Sequence, residues 1–289
     1  MSTVATVLKT MLTGLAVAAA VAAGTARAGE APFKHMLPEA IQSKGYLSVA
    51  SEIQYPPFET FAEDNKTVVG IDADIAAALS KELGVELRFV STSFDAIIPG
   101  LVAKRYDMAM SAMTDNRKRE KQVDFVDYFG SGGGILARTA DKDKYKTLDD
   151  LCGVTVGIAK GTTEVADAEK QSAKCKAQGK AAINSQIFAR QNDMVLALQS
   201  HRVDAAMADA PNSAATAQES KGQLVLTGPA YSKSVFGIVF PKGSDQLMKA
   251  VQAALQKIMD DGTYLAILKK YGQQDNAITT ATINGALTD

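Results

Sequence analysis

The chain has 289 residues, of which 46% are hydrophobic and 22% are charged, as in ordinary globular proteins, so wholesale disorder is not expected. This length suits one large domain or two smaller ones. The formal net charge of −1 and the absence of a long basic run argue against nucleic acid as the main partner.

Residues 1–28 are predicted to be a secretory signal peptide. Lys9 provides a basic start, residues 11–21 are apolar, and 26–28 form an A-x-A cleavage signal before Gly29. The apolar stretch is shorter than the ~20 residues of a membrane-spanning helix. No Cys follows it, so neither a membrane anchor nor a lipid anchor is favoured. Loss of Lys9 and Arg27 changes the net charge from −1 to −3, and the mature protein is expected in the periplasm.

Cys152 and Cys175 are the only cysteines of the chain. In an oxidising compartment, two cysteines in one exported chain favour a disulfide over a metal site. His35 and His201 are the only imidazoles, and a metal site usually needs three or four ligands. We therefore predict a structural Cys152–Cys175 disulfide and no metal or other cofactor, with two separate free thiols as the alternative.

The first part of the mature chain has a β-α-β-α-β pattern. We expect a strand at 47–50, a helix capped by Asp72 and ended by Gly84, a strand at 87–90, a helix capped by Asp95 that runs through Val102, and a strand at 108–110. This order is typical of a parallel sheet covered by helices.

A similar order recurs later in the chain. The expected elements are a strand at 154–158, the start of a helix at 162–170, a strand at 183–188, a helix around 194–198 and a strand at 203–207. The order of elements repeats although the sequence does not. Two similar α/β lobes are therefore the most economical interpretation.

Two segments are predicted to cross between the lobes. The first is a glycine cluster at 130–134, where the backbone is expected to bend, and the second lies near 232–236. With two crossings, the first lobe comprises 29–131 and 235–289, and the second comprises 132–234. The cleft between the lobes is then the natural binding site.

The C-terminal part adds a strand and two helices. We expect a strand at 237–240, an amphipathic helix capped by Ser244 that runs through Ile258, and a last helix at 264–271. The polar segment after Gly272 is expected to be a loosely held tail.

Sequence signatures of catalysis are weak in this chain. It has no G-x-S-x-G motif, and neither His35 nor His201 lies in the context of a catalytic triad. The glycines at 130–134 are not followed by the Gly-Lys-Ser/Thr of a phosphate-binding loop. A binding function is better supported than an enzymatic one.

A series of motifs covers nearly the whole mature chain in one order. The motifs are YPPFE at 55–59, VGIDADI at 69–75, FDAIIPGL at 94–101, YDMAMS at 106–111, Thr114, Arg119, VDFVDYF at 123–129, GTT at 161–163, VDAAMAD at 203–209 and FPKGSD at 240–245. Each motif alone is weak, but the ordered set is specific. It strongly resembles the polar amino acid-binding proteins of bacterial ABC importers, the family of glutamine-, histidine- and lysine/arginine/ornithine-binding proteins.

The resemblance implies a two-lobed α/β fold of the type II periplasmic binding proteins, which closes by hinge bending around one polar L-amino acid. Such a protein delivers its ligand to permease subunits of an ABC transporter, and we expect a monomer. Two other functions use the same fold. Exported dehydratases of the cyclohexadienyl or arogenate type convert their ligand, and sensor domains carry membrane spans and further domains.

The resemblance also implies which residues hold the two charges of a free amino acid. A desolvated site must pair both the carboxylate and the ammonium. Arg119 is expected to hold the carboxylate, with Arg117 as the alternative, and Thr163 to donate its amide from a helix N-terminus. Asp209 is expected to pair with the ammonium.

Five further residues are implied around the same ligand. Thr114 is expected to contact it through its amide and hydroxyl, and the carbonyl of Ala112 to face the ammonium. Tyr55 and Phe94 are expected to sandwich the aliphatic part of the ligand side chain. Glu52 stands where several relatives carry an acid that reaches that side chain, although this indicates little about ligand identity.

Overall fold

Helices and strands alternate along residues 31–289, the part of the chain that the computed structural model describes. The strands are β1 (Tyr46–Ser51), β2 (Thr60–Phe61), β3 (Val68–Val69), β4 (Glu86–Ser91), β5 (Met108–Ala109), β6 (Thr114–Asp115), β7 (Val123–Arg138), β8 (Thr155–Ala159), β9 (Asn184–Phe188), β10 (Ala205–Asp209) and β11 (Leu224–Pro241). The helices are α1 (Glu39–Lys44), α2 (Ile71–Leu83), α3 (Phe94–Val102), α4 (Arg117–Glu120), α5 (Thr163–Ala177), α6 (Gln191–Gln199), α7 (Ala210–Glu219), α8 (Asp245–Asp260) and α9 (Thr263–Lys270). The predicted signal peptide at 1–28 lies outside the described residues. Within the described part, no helix is long and apolar enough to cross a membrane.

One mixed sheet connects the whole described part. Its strand order is β4-β1-β5-β11-β7-β10-β8-β9, and β6 also pairs with β11. The two outer groups are parallel, as predicted: β1 pairs with β4 and β5, and β8 pairs with β9 and β10. The long strands β7 and β11 are antiparallel and join these groups. The fold class predicted from the β-α-β pattern is therefore confirmed.

The buried apolar side chains form separate clusters on the two sides of β7 and β11. One group of clusters uses residues from Leu37 to Phe129 and from Phe236 onwards. The other group uses residues from Ile135 to Leu224. Each half of the sheet thus has its own core, which defines a first and a second lobe. The boundaries at 131/132 and 234/235 remain predictions, and both fall inside the two long strands.

Two of the predicted helix caps are wrong. The helix α2 begins at Ile71 after Gly70, and the buried Asp72 carboxylate instead accepts a hydrogen bond of 2.6 Å from the Tyr128 hydroxyl. The N-cap of α3 is Ser93 rather than Asp95. Asp95 lies one residue inside the helix, where its carboxylate pairs with Lys160 at 2.7 Å. Both carboxylates therefore bind partners that are distant in sequence instead of capping the helices, as the local sequence had indicated.

The glycine cluster at 130–134 does not interrupt the chain with a bend, contrary to our prediction. It lies within β7, which stays extended over 16 residues. A Cβ on Gly132 would lie 2.3 Å from the Ser232 carbonyl oxygen, and one on Gly133 would lie 2.2 Å from the Tyr231 ring. The glycines therefore permit close approach of β11, and the irregular pairing occurs on β11 itself, near the predicted second crossing.

The predicted disulfide is confirmed. Cys152 and Cys175 are bonded, which ties the loop before β8 to the last turns of α5. The Gln171 amide lies beside both sulfur atoms and donates to Asp149 at 2.7 Å. The crosslink therefore anchors the C-terminal part of α5, and Thr163 lies at the opposite end of the same helix.

The segment after Gly272 is not a loosely held tail. Ala281 is buried, and the Gln252 side-chain amide donates to its carbonyl at 2.7 Å. The Asp127 amide of β7 donates to the Thr282 carbonyl at 2.8 Å. The prediction of a tail rested on the small and polar residues of this segment, but its backbone hydrogen bonds attach it to the first lobe.

Candidate binding site in the cleft

A cavity lies between the two lobes, and all eight residues singled out from the sequence line it. These residues are Glu52, Tyr55, Phe94, Ala112, Thr114, Arg119, Thr163 and Asp209. Residues that the sequence did not single out also line it, among them Glu59, Glu164 and Gln191. The individual ligand contacts stay predictions, but the structure brings every candidate residue to one place.

Arg119 is held in the cavity by the turn that precedes it. Asn116 caps α4, and its side-chain oxygen accepts a hydrogen bond of 2.8 Å from the Arg119 amide. The buried guanidinium donates to the carbonyls of Thr114 at 2.6 Å and Gly161 at 3.0 Å, so it contacts both lobes. Arg117, the alternative, has an exposed side chain that pairs with Glu120. The geometry favours Arg119.

The cavity offers acidic side chains opposite this arginine. Asp209 ends β10, and its carboxylate accepts a hydrogen bond of 2.6 Å from the Tyr55 hydroxyl. Glu164 lies in the first turn of α5 and is only 2% exposed. Burial, followed by the charge of Glu164, raises the pKa of Asp209. Burial lowers the pKa of Arg119, and the charges of Glu164 and Asp209 oppose that effect.

Glu52 directly follows β1 and lines the cavity together with Phe94. Its amide donates to the Ser111 hydroxyl at 3.0 Å, whereas its Oε1 has no hydrogen-bond partner among the described residues. Burial raises the pKa of Glu52 to about 7, and the charge of Arg190 opposes this rise. A cationic group placed beside Glu52 would stabilise its ionised form.

Glu59, which lines the cavity, and Asp72 form a buried carboxyl pair. Burial and then the charge of Asp72 raise the pKa of Glu59, and burial raises that of Asp72 to about 6. Two adjacent buried carboxyl groups of this kind share a proton. The pair thus disfavours ionisation of both groups at once, and Asp209, Glu164 and Glu52 are the other acidic side chains of the cavity wall.

Backbone groups complete the cavity wall. Thr162 and Thr163 form the start of α5, whose free amides and dipole favour an anionic group. Thr114 is 4% exposed and lies in β6, which pairs with β11. Ala112 has a positive φ of 43°, which turns the chain between β5 and β6. These groups suit a small ligand with a carboxylate.

The two lobes touch outside the cavity as well. Lys160 pairs with Asp95 at 2.7 Å, and the Asn212 side-chain amide donates to the Pro56 carbonyl at 2.7 Å. With the contacts of Arg119 and Tyr55, these bonds hold the lobes together across the cleft.

Sequence reasoning missed Glu164, Glu59 and Gln191. Glu164 directly follows the GTT motif, so its position at a helix N-terminus was available from the sequence. Gln191 lines the cavity and its side-chain amide donates to Asn212 at 2.8 Å, a tertiary contact that the sequence does not reveal. No group of three metal-binding side chains occurs in the described range 31–289.

Comparison with known proteins gives a consistent family. Residues 47–274 match the family model of the bacterial extracellular solute-binding proteins, family 3. The arginine-binding protein ArgT of Corynebacterium glutamicum is 32% identical over 250 residues, which cover 86% of this chain and 81% of that protein.

Solved structures agree with this match. An ancestral arginine-binding protein bound to arginine is 33% identical, with a TM-score of 0.73 over 79% of this chain and 98% of the other. An ancestral amino acid-binding protein described as a precursor of cyclohexadienyl dehydratase is 31% identical, with a TM-score of 0.70 over 80% of this chain and 97% of the other.

Proposed function

Since this chain belongs to the bacterial extracellular solute-binding proteins, family 3, we infer that it is the amino acid-binding component of an ABC transporter. The observation that carries this inference is the cleft itself, where one buried arginine faces buried acids next to a helix N-terminus. That arrangement complements a carboxylate and an ammonium on the same small molecule. The relatives are binding proteins, and we propose that this chain releases its ligand unchanged rather than acting as an enzyme.

We propose that the ligand is an L-amino acid with a cationic side chain. Arg119 and the amides of α5 take the carboxylate, and Asp209 takes the ammonium. The aromatic rings of Tyr55 and Phe94 flank the aliphatic part of the side chain, which points its cationic end toward Glu52. A ligand with two positive charges and one negative charge balances a cavity that has more acids than bases. The arginine-binding relatives support this choice.

Binding is proposed to act by hinge closure about β7 and β11, the two strands that connect the lobes. Groups of both lobes meet the ligand: Arg119 lies in the first lobe, and Asp209 and Thr163 lie in the second. A ligand that contacts both lobes favours the closed state by its differential affinity for that state. The closed protein would then dock on the permease subunits.

The mature protein is proposed to begin at Gly29 and to act as a monomer in the periplasm. The family and its relatives are extracytoplasmic binding proteins, which supports export. Cleavage after residue 28, the permease partner and the monomeric state are parts of this proposal.

The first test is thermal unfolding of ligand-stripped protein against the standard L-amino acids. L-arginine or L-lysine at about a thousand times its dissociation constant should add ~4 kcal/mol to the free energy of unfolding. For a chain of this size, that is a rise of about 10 °C in the unfolding midpoint. Acidic amino acids serve as the matched control and should give almost no rise. A larger rise with glutamate than with arginine would sink the cationic assignment.

Binding of a cationic ligand is expected to depend on the ionisation of Glu52. Because Glu52 has a raised pKa of about 7, affinity should increase as the pH rises from 5 to 7. One proton lost per binding event corresponds to about tenfold per pH unit in that range. Calorimetric titrations of the Glu52→Gln variant should show weaker binding at pH 8 and a much flatter profile. Equal slopes in both proteins would contradict this role.

A second candidate function is an exported dehydratase, because one solved neighbour is described as a precursor of cyclohexadienyl dehydratase. Such an enzyme would convert arogenate- or prephenate-like compounds on the same fold. Product analysis after incubation with these compounds separates the two functions, since a receptor returns them unchanged.

A further inference from the structure

The C-terminal segment, residues 282–289, lies outside the stretch that matches the family, which ends at residue 274. It runs beside β7 in the first lobe. The side chain of Asn284 accepts from the Phe125 amide at 2.8 Å and donates to Asp124 at 2.9 Å, while its own amide donates to the Phe125 carbonyl at 3.2 Å. Three hydrogen bonds from one residue fix the segment in register with the strand.

The same segment reaches the helical turn that carries Arg119. The Arg117 amide, at the start of α4, donates to the Thr288 carbonyl at 3.1 Å. The Ala286 amide faces Glu120, at the end of α4, at 3.4 Å. A helix of four residues has almost no stability of its own, so outside contacts must hold it in place. The C-terminal segment supplies such contacts at both ends.

A buried pair of carboxyl groups, Asp115 of β6 and Asp127 of β7, lies beside the segment. Asp115 follows Thr114 and is fully buried. Neither of its carboxyl oxygens has a hydrogen-bond partner among the described residues. The Gly285 amide donates to Asp127 at 3.2 Å, and a Cβ on Gly285 would lie 2.4 Å from that oxygen. The segment therefore packs directly on the pair.

The pair holds a proton near neutral pH. Burial, followed by the charges of Asp127 and Glu120, raises the pKa of Asp115 to about 8, and burial raises that of Asp127 to about 6. Protonated Asp115 can donate to Asp127, which gives both groups a partner. Loss of that proton leaves two like charges in contact, next to the carboxylate of Glu120.

The charged groups around this pair come from each element packed on it. The helix α4 contributes Glu120, which pairs with Arg117 at 2.8 Å. The strand β7 contributes Asp124, which pairs with Lys242, the residue after β11. The C-terminal segment contributes Asp289, whose charge acts on Arg117. In the described part of the chain no cation forms an ion pair with Asp115, although Arg117 and the buried Arg119 lie near enough for its charge to act on both.

We propose that the C-terminal segment is a positioning element for the amino acid site: it holds α4 so that Arg119 points into the cleft, and a proton shared by Asp115 and Asp127 keeps it in place. This inference rests on the proposed function. Thr288 and Asp289 also line a cavity of about 230 Å³ that shares Arg119 and Thr163 with the ligand site. The segment touches no ligand in this role and acts through the turn it supports.

The test compares dissociation constants for the preferred amino acid, measured by calorimetry, in the full chain and in a chain that ends at Ala281. Loss of the segment should weaken binding on the order of tenfold, because Arg119 is then no longer preorganised. Asn284→Ala should weaken it in the same direction and serves if the shortened chain does not fold. Leu287→Ala is the matched control, since that side chain is 60% exposed, and it should bind like the full chain.

A pH profile separates positioning from general support of the fold. Affinity of the full chain should fall as the pH rises through about 8, where Asp115 loses its proton. Asp115→Asn stays neutral and can still donate to Asp127, so its affinity should lack that step, as should that of the chain ending at Ala281. Equal affinities and equal profiles in all variants would overturn the inference and leave the proposed function intact. A full chain that binds no amino acid would instead overturn the proposed function, and this inference with it.

Discussion

Replacing Arg119 by alanine is expected to weaken binding of the preferred amino acid by about 10³-fold. The guanidinium is buried, and truncation of one partner in a buried, hydrogen-bonded charge pair typically costs 2–5 kcal/mol, where ~1.4 kcal/mol is tenfold in affinity. The loss also removes the bonds to Thr114 and Gly161, through which this side chain links the lobes. Calorimetric titration at pH 7.5 measures the effect.

Two variants control this result. Arg119→Lys keeps the charge but cannot form a bidentate pair with a carboxylate. Its affinity for the amino acid should therefore lie between those of the wild type and the alanine variant. Arg117→Ala should lose far less affinity, because the Arg117 side chain is exposed and contacts Glu120 rather than the cleft. A larger loss for Arg117→Ala than for Arg119→Ala would reverse the assignment of the carboxylate.

Removing the disulfide is expected to give the largest loss of stability. Cys152 and Cys175 are 23 residues apart, and a crosslink of that span stabilises a folded chain by about 3 kcal/mol. The Cys152→Ser/Cys175→Ser variant should therefore unfold about 5–10 °C below the wild type in calorimetry.

Reduction provides an independent control for the disulfide. Wild-type protein under strong reductant should unfold at the same temperature as the double serine variant, and reductant should not affect that variant. Ligand affinity at 25 °C should change little, because the crosslink lies at the end of α5 remote from Thr163. An unchanged unfolding temperature in the double variant would show that the bond contributes no net stability.

Much of the fold was predictable because its signals are local. The spacing of Leu247, Val251, Leu255 and Ile258 predicted α8, and all four side chains are buried. Gly84 ends α2 in the left-handed conformation, with φ of 64°, as its sequence position indicated. The predicted strand at 203–207 lies two residues later, at Ala205–Asp209, because His201 has a positive φ and extends the preceding turn.

The errors occurred where tertiary contacts decide. Asp72 and Asp95 have the residue type and position of helix caps, but Tyr128 and Lys160 bind their carboxylates instead. The C-terminal segment has no apolar periodicity, and its attachment depends on hydrogen bonds from β7 and α4. Such pairings join residues more than 150 positions apart, and no local pattern announces them.

The candidate site was predictable to a different degree. The family resemblance placed all eight candidate residues, and the structure gathers them around one cavity. Without the family resemblance, the residue types indicated only that the site needs a basic side chain for the carboxylate and an acidic one for the ammonium. The sequence analysis did not single out Glu164, because a glutamate in the first turn of a helix is usually exposed to solvent and stabilises the helix dipole. This glutamate is instead buried near Asp209 and Arg119.

The central claim is that the cleft captures one free amino acid and returns it unchanged. Calorimetric titration of ligand-stripped protein with L-arginine, followed by recovery of the ligand and mass analysis, tests it directly. We expect about one equivalent bound per chain, a sharp loss of binding in Arg119→Ala, and chemically intact arginine. Failure to bind arginine or any other amino acid, or recovery of a converted product, would contradict the account.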